Sequence, residues 1–202
     1  MDDILHNPRT SAQCKMCCWY QSCILPARPL KLDLHTHCSE AIYAADRGCS
    51  DLEAAQKIVE AVKIKRLDGI AITYHHRSDF AFKIKKLVED ELGNEVLIIP
   101  GQEIDRRSGH LVELYLPDGF IFRFIPHPHV PNWSSLKGIH GIEIENGQDF
   151  LYSINRDEVR EFGQRHNLLL LSNSDAHSLL DIGSYYNEIE LRELCHRVQR
   201  NG

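Results

Sequence analysis

The residues best suited to chemistry in this chain are its histidines, and their spacing is not random. His35 and His37 stand one residue apart in "DLHTHCSE", and Asp175 and His177 repeat the spacing in "SNSDAH". In an extended segment residues i and i+2 point to the same side, so each pair can grip one ion. Asp33 falls on the side of His35 and His37, where a carboxylate can orient a ligating ring. Glu103 in "IIPGQEID" offers two oxygens, the donor type that holds two cations a few ångströms apart. Prolines on either side of His127 in "IPHPH" exclude a helix around it, and His129 follows as a group for substrate or solvent. Taken singly these signals are weak: an isolated His-x-His is as readily a hydrogen-bonded core pair, and a lone Glu after a strand is usually solvated.

The elements that would position them make the pattern stronger. Short β-like runs alternate with helix-like ones: "LKLDLH", "SDLEAAQKIVEAVKIKRL", "GIAIT", "FAFKIKKLVEDEL", "EVLIIP". The segment from Ser50 opens with a capping box, Ser50 followed by Glu53. "HLVELYLPDGFIFRFIP" reads as a hairpin around Pro117-Asp118-Gly119, "GIEIEN" as a strand, "NRDEVREFGQRH" as a helix, "LLLLS" as a buried strand and "RELCHRVQR" as a terminal helix. Such alternation predicts a mainly parallel sheet flanked by helices, and in closed barrels of this kind reactive groups sit at the C-terminal ends of strands. His35 and His37, His75 and His76, Glu103, His127 and His129, Asn146, and Asp175 and His177 all follow candidate strands; His110 is the exception, opening its strand. Mixed imidazole and carboxylate ligation suits zinc, manganese or iron, and so many donors imply two or three divalent ions.

These motifs, "DLHTH", "AITYHH", "GQEID" with "GHLVEL", "IPHPH", "GIEIEN" and "SNSDAH" followed by Gly183, resemble those of PHP-domain proteins (polymerase and histidinol phosphatase superfamily) from about Lys31 to Glu190. The resemblance implies an α/β fold, a distorted (β/α)7 TIM-like barrel, whose di- or trinuclear centre hydrolyses phosphoesters. By it His35, His37, Glu103 and Asp175 would hold one metal, Glu103, His110 and His127 a second, and His75 and His177 a third. Two departures touch the third site: Thr73-Tyr74-His75 stands where the family usually has Thr-Asp-His, so that His76 competes with His75, and the first motif continues as Cys38-Ser39-Glu40. Glu40 or Asp46 would supply the missing third-site ligand.

The expected reaction is hydrolysis of a small phosphorylated metabolite or nucleotide, a phosphatase rather than a phosphodiesterase. A metal-bridging hydroxide would attack phosphorus while the ions absorb charge. Glu103, Asp175, His177 and His129 are the expected catalytic groups, with His129 or His76 protonating the leaving group. Arg77, Arg106 and Arg107 lie near metal motifs as phosphate clamps; a solvated surface arginine is the alternative for each.

Composition narrows the alternatives. Lys plus Arg number 23 against 29 Asp plus Glu, a net charge of −6, the wrong sign for long nucleic acid; a small phosphorylated substrate or the end of a short nucleic acid fits better. No stretch is apolar enough for a membrane span or a secretory signal, which predicts a cytoplasmic protein. The seven cysteines read as thiols or metal ligands rather than a disulfide framework. Cys14, Cys17, Cys18 and Cys23 fall in an N-terminal extension, residues 1–29, ahead of a catalytic domain at 30–202; their C-x2-C-C-x4-C spacing is not a common ligand pattern. Two competing readings are a non-catalytic or regulatory PHP-like metal-binding domain and a nuclease acting on short oligonucleotide ends. An amidohydrolase-like barrel would want a metal-bridging lysine at a strand end, and none is present.

Overall fold

A computed structural model describes residues 28–45, 48–107, 109–128, 136–148 and 155–200. Its eight strands are β1 (Leu30–Asp33), β2 (Gly69–Ile72), β3 (Leu97–Arg106), β4 (Gly109–Tyr115), β5 (Ile121–Ile125), β6 (Gly141–Asn146), β7 (Leu169–Asn173) and β8 (Asn187–Ile189). The helices are α1 (Cys38–Ala45), α2 (Asp51–Ile64), α3 (Asp79–Asp90), α4 (Arg156–Arg165) and α5 (Leu191–Arg200). The expected N-terminal extension, with Cys14, Cys17, Cys18 and Cys23, falls almost wholly outside the described residues.

The strands form one sheet in the order β7-β6-β5-β4-β3-β2-β1-β8. β1, β2 and β3 run parallel, as do β5, β6 and β7; β3, β4 and β5 are an antiparallel meander. The sheet therefore curls into the expected mixed α/β barrel, but two hairpins replace helical crossovers in its middle. It nearly closes, and the seam is stitched by local groups. At the site end the chain beyond β1 pairs with the chain beyond β7, through His37 N–H to the Ala176 carbonyl (2.9 Å) and Asp175 N–H to the His35 carbonyl (2.9 Å). At the other end β8 wedges in antiparallel to β1. The Asn187 side chain on β8 acts as a spare peptide: its Oδ1 accepts the Ser172 N–H (2.9 Å), and its Nδ2 donates to the Ser172 carbonyl (2.9 Å) and to Asn173 Oδ1 (2.8 Å).

The core follows from strand alternation. Leu32, Ala71, Ile99, Val112, Leu114, Phe122, Phe124 and Leu171, drawn from strands around the sheet, form one buried cluster with Leu191 and Leu194 of α5. The opposite face of β2 and β3 (Ile70, Ile72, Ile98) packs on α2 and α3 through Ile58, Val62, Ile84 and Val88. β6 packs on α4 through Ile142, Val159 and Phe162. The capping box opens α2 as its sequence predicts: Ser50 Oγ accepts the Glu53 N–H while the Glu53 carboxylate accepts the Ser50 N–H (2.8 Å).

Candidate metal centre

Nine side chains meet at one end of this barrel: His35, His37, Glu40, His75, Glu103, His110, His127, Asp175 and His177. Their donor atoms fall into three groups, His35 with His37 and Glu103; Glu103 with His110 and His127; and His37 with Glu40, His75 and His177, each with its atoms within 4.8 Å of one another. Asp175 borders the first group: its Oδ1 is 3.1 Å from His37 Nε2 and 3.5 Å from His35 Nε2.

The elements explain the convergence. His35 and His37 stand just beyond β1, His75 beyond β2, His127 beyond β5, and Asp175 and His177 beyond β7. Glu103 does not follow a strand as the sequence suggests; β3 runs on through it, and His75 forms a parallel bridge to it. This longer β3 turns back into β4 with Asp105 opposite His110. Because β4 is antiparallel, its first residues lie at the same end of the barrel as the last residues of its parallel neighbours, so His110 joins the site by opening its strand. His127 and Asp175 hold backbone φ of 26° and 50°, values disfavoured for side-chain-bearing residues and common where a site fixes the chain.

Glu103 is the hub. Its Oε1 is 2.8 Å from His110 Nδ1 and 3.0 Å from His127 Nε2, and its Oε2 is 3.1 Å from His75 Nδ1 and 3.4 Å from His37 Nε2. Burial alone would raise its pKa, but the surrounding imidazoles, His110, His127, His35 and His75, outweigh it and hold the carboxyl well below the usual range. Asp175 is likewise buried and held low by His35 and His37. Burial lowers the pKa of His37, whereas in His35 the carboxylates of Asp175 and Glu143 overcome burial and raise it.

The donor set fits divalent cations. Glu143 Oε1 sits 2.9 Å from His35 Nδ1, which turns His35 Nε2 toward His37 Nε2 at 3.2 Å, beside two carboxylate oxygens; a cation bound there would take the place of the proton those carboxylates favour. Imidazole nitrogens and anions thus converge in a buried space that a positive ion would neutralise. Asp175 Oδ1 and His37 Nδ1 are buried with no hydrogen-bond partner among the described residues, as atoms reserved for another ligand would be. The third group is more open: His75, His177 and Glu40 are 39%, 43% and 35% exposed. Glu40 Oε1 lies 3.7 Å from His75 Nε2 and its Oε2 3.6 Å from His177 Nε2; Asp46, the alternative third-site ligand, lies outside the described residues.

Other expected residues fall elsewhere. Asp33 touches no ligating ring; its oxygens accept the N–H groups of Ser174 (3.1 Å) and Gly183 (2.9 Å), tying β1 to the chain after β7, and burial pushes it up to about 6. His76, at φ 55°, turns away to pair with Asp105 (3.3 Å), leaving the site to His75. Arg77 is held bidentately by Asp79 (3.0 and 2.8 Å), and Arg106 and Arg107 are exposed at the β3–β4 hairpin, with no described bond to the donors. His129 lies outside the described residues.

Glu143 was not anticipated. It is fully buried and accepts from His35 Nδ1, the His127 N–H (2.7 Å), Asn146 Nδ2 (2.9 Å) and Asn173 Nδ2 (2.8 Å). In "GIEIEN" it looks equivalent to Glu145, two residues on. A register shift between Glu143 and Glu145 breaks that alternation, so that Glu143 and Asn146, three apart, both face inward.

Residues 153–196 match the family model described as PHP-associated. No curated protein matches the chain. Among solved structures the chain is similar to a candidate metal-dependent phosphoesterase from Bifidobacterium adolescentis, at 14% identity and a TM-score of 0.58 over 86% of this chain and 98% of that one. It is also similar to PsfC from Pseudomonas syringae, at 14% identity and a TM-score of 0.53 over 81% of this chain and 86% of that one. Likeness at such identity speaks to the fold. The comparisons thus give a PHP-associated match confined to residues 153–196 and a fold shared with these two structures.

Proposed function

We propose that the protein hydrolyses phosphomonoesters of small molecules, using two or three divalent ions (manganese, zinc or iron) at the cluster centred on Glu103. The observation that carries this reading is the hub itself: one buried carboxylate with imidazoles on both oxygens, next to an Asp175 oxygen that no donor satisfies. On this reading His35, His37, Glu103 and Asp175 hold one ion, Glu103, His110 and His127 a second, and His75, His177 and Glu40 a third. Bound there, the ions would neutralise the phosphoryl oxygens and make a water acidic enough to attack phosphorus.

The chain's own residues do the positioning. Glu143 fixes the His35 tautomer and, through the His127 N–H, the loop after β5. Asn146 holds Glu143 and Asp175 (3.3 Å) in one frame. In the reaction the P–O ester bond breaks, the water oxygen bonds to phosphorus, and the alcohol departs with a proton. Over the whole reaction that proton is one the attacking water gives up. The net charge of −6 favours a small substrate over a long nucleic acid.

The test is equilibrium dialysis against manganese followed by phosphate release from a panel of monoesters. At least two ions per chain are expected, with Glu103→Gln losing ions and activity together. A protein that keeps two ions and releases phosphate from no monoester overturns the reading, and turnover confined to oligonucleotide ends would make it a nuclease.

A further inference from the structure

A cleft of about 470 Å³ opens beside the most exposed part of the donor cluster. Its walls come from α1 (Ser39, Glu40, Tyr43), the start of α2 (Asp51), and the β2–α3 segment (Tyr74, Arg77, Asp79, Phe80, Lys83). Glu40 belongs to both places: it lines the cleft and its carboxylate faces His75 and His177. A phosphoryl group held at the donors therefore has its ester oxygen, and whatever that oxygen carries, next to this space.

The cleft's chemistry selects among bodies. Tyr43 and Phe80 meet edge to face, their centroids 5.8 Å apart, giving one aromatic side to the cleft. The cations that line it are paired: Arg77 bonds Asp79 twice, and Lys83 Nζ is 3.0 Å from Asp51 Oδ2. Tyr43 Oη donates to the other Asp51 oxygen (3.0 Å). With Glu40 turned to the imidazoles, each lining arginine or lysine has its own carboxylate, and none is left over for a second phosphate. Ser39, 6% exposed, has an Oγ with no hydrogen-bond partner among the described residues. Tyr74, the departure from the family's second motif, is part of the same lining.

We infer that this cleft takes the alcohol portion of the substrate, a neutral body of sugar or nucleoside size with an apolar face for the aromatic side, so that the enzyme favours substrates with a single phosphoryl group over bisphosphates. The inference rests on the phosphomonoesterase reading above and names its substrate class.

The experiment compares kcat/KM of the manganese-loaded full chain on methyl phosphate, a hexose monophosphate, a nucleoside monophosphate and a nucleoside bisphosphate, and repeats it with Asp79→Asn. A monophosphate with a neutral body is expected to exceed both methyl phosphate and the bisphosphate by tenfold or more; the hexose and nucleoside arms decide which body it is. Asp79→Asn releases Arg77, so turnover of the bisphosphate relative to the monophosphate should rise by about tenfold, a gain that misfolding does not produce. Bisphosphate turnover equal to or faster than monophosphate turnover in the unaltered protein, or no gain in Asp79→Asn, overturns this inference while leaving the phosphoesterase reading intact. Silence on every ester by a protein that retains its ions overturns both.

Discussion

At the scale of single residues the account turns on how a buried carboxylate is kept charged. Glu103 stays ionised because imidazoles surround it, and His35 keeps Nε2 aimed inward because its Nδ1 is held by a hydrogen bond to Glu143. Glu143→Gln retains the shape and loses the charge that makes His35 a strong donor. Manganese affinity, read by calorimetric titration, should fall about 10- to 100-fold, the usual effect of losing such an outer partner; unchanged affinity would remove Glu143 from the account. Much of this residue-level chemistry is legible in the sequence, because imidazoles and carboxylates recur just past runs that read as strands. Glu143 is not legible, since strict alternation pairs it with Glu145 and only the tertiary register shift separates them. Arg77 reads as a phosphate clamp from its proximity to His75, whereas its partner is Asp79, two residues on.

At the scale of elements, two features hold the strand ends in place. Gly147 follows β6 and donates its N–H to the Asn173 carbonyl (3.1 Å); a Cβ there would stand 2.1 Å from the Ser174 carbonyl oxygen. Gly147→Ala must therefore push apart the ends of β6 and β7. A loss of about 3 kcal/mol in urea unfolding is expected, in the range for overpacked sites, together with weaker metal binding because Ser174 adjoins Asp175. Asn187→Leu would leave the Ser172 N–H and carbonyl without their partner across the seam. This should cost about 2 kcal/mol, from roughly 1 to 3 kcal/mol per unsatisfied buried group discounted for partial exposure. Unfolding free energies unchanged by either substitution would show that the seam is held by something else. The strands and the helix at Ser50 can be read from pattern and capping, but strand direction cannot. His110 looks anomalous in the sequence because only the antiparallel course of β4 puts its first residues at the site end.

At the scale of the whole molecule, the barrel gathers the donors from β1 through β7 at one end and leaves the opposite end to α5 and β8. No described helix is long and apolar enough to cross a membrane. The molecule should be acid-sensitive for a reason away from the donors. His140, which accepts the Arg123 N–H at Nδ1 (2.9 Å), is pushed down to about 4 by burial and then by Arg123 and Arg197. The unfolded chain takes up a proton there near 6.5 and the folded one does not, so stability is complete above about pH 6.5 and falls progressively toward pH 4. His140→Asn keeps an acceptor and removes the titration; its stability should change less over that window, and an identical slope in both proteins would assign the acid sensitivity elsewhere. The central claim is metal-dependent phosphoester hydrolysis, and its most direct test is phosphate release by chelated protein before and after reloading with manganese or zinc, with Asp175→Ala alongside. The account predicts no release when stripped, release when reloaded, and at least a hundredfold less in the variant. Equal release with and without metal, or full activity in Asp175→Ala, would contradict it.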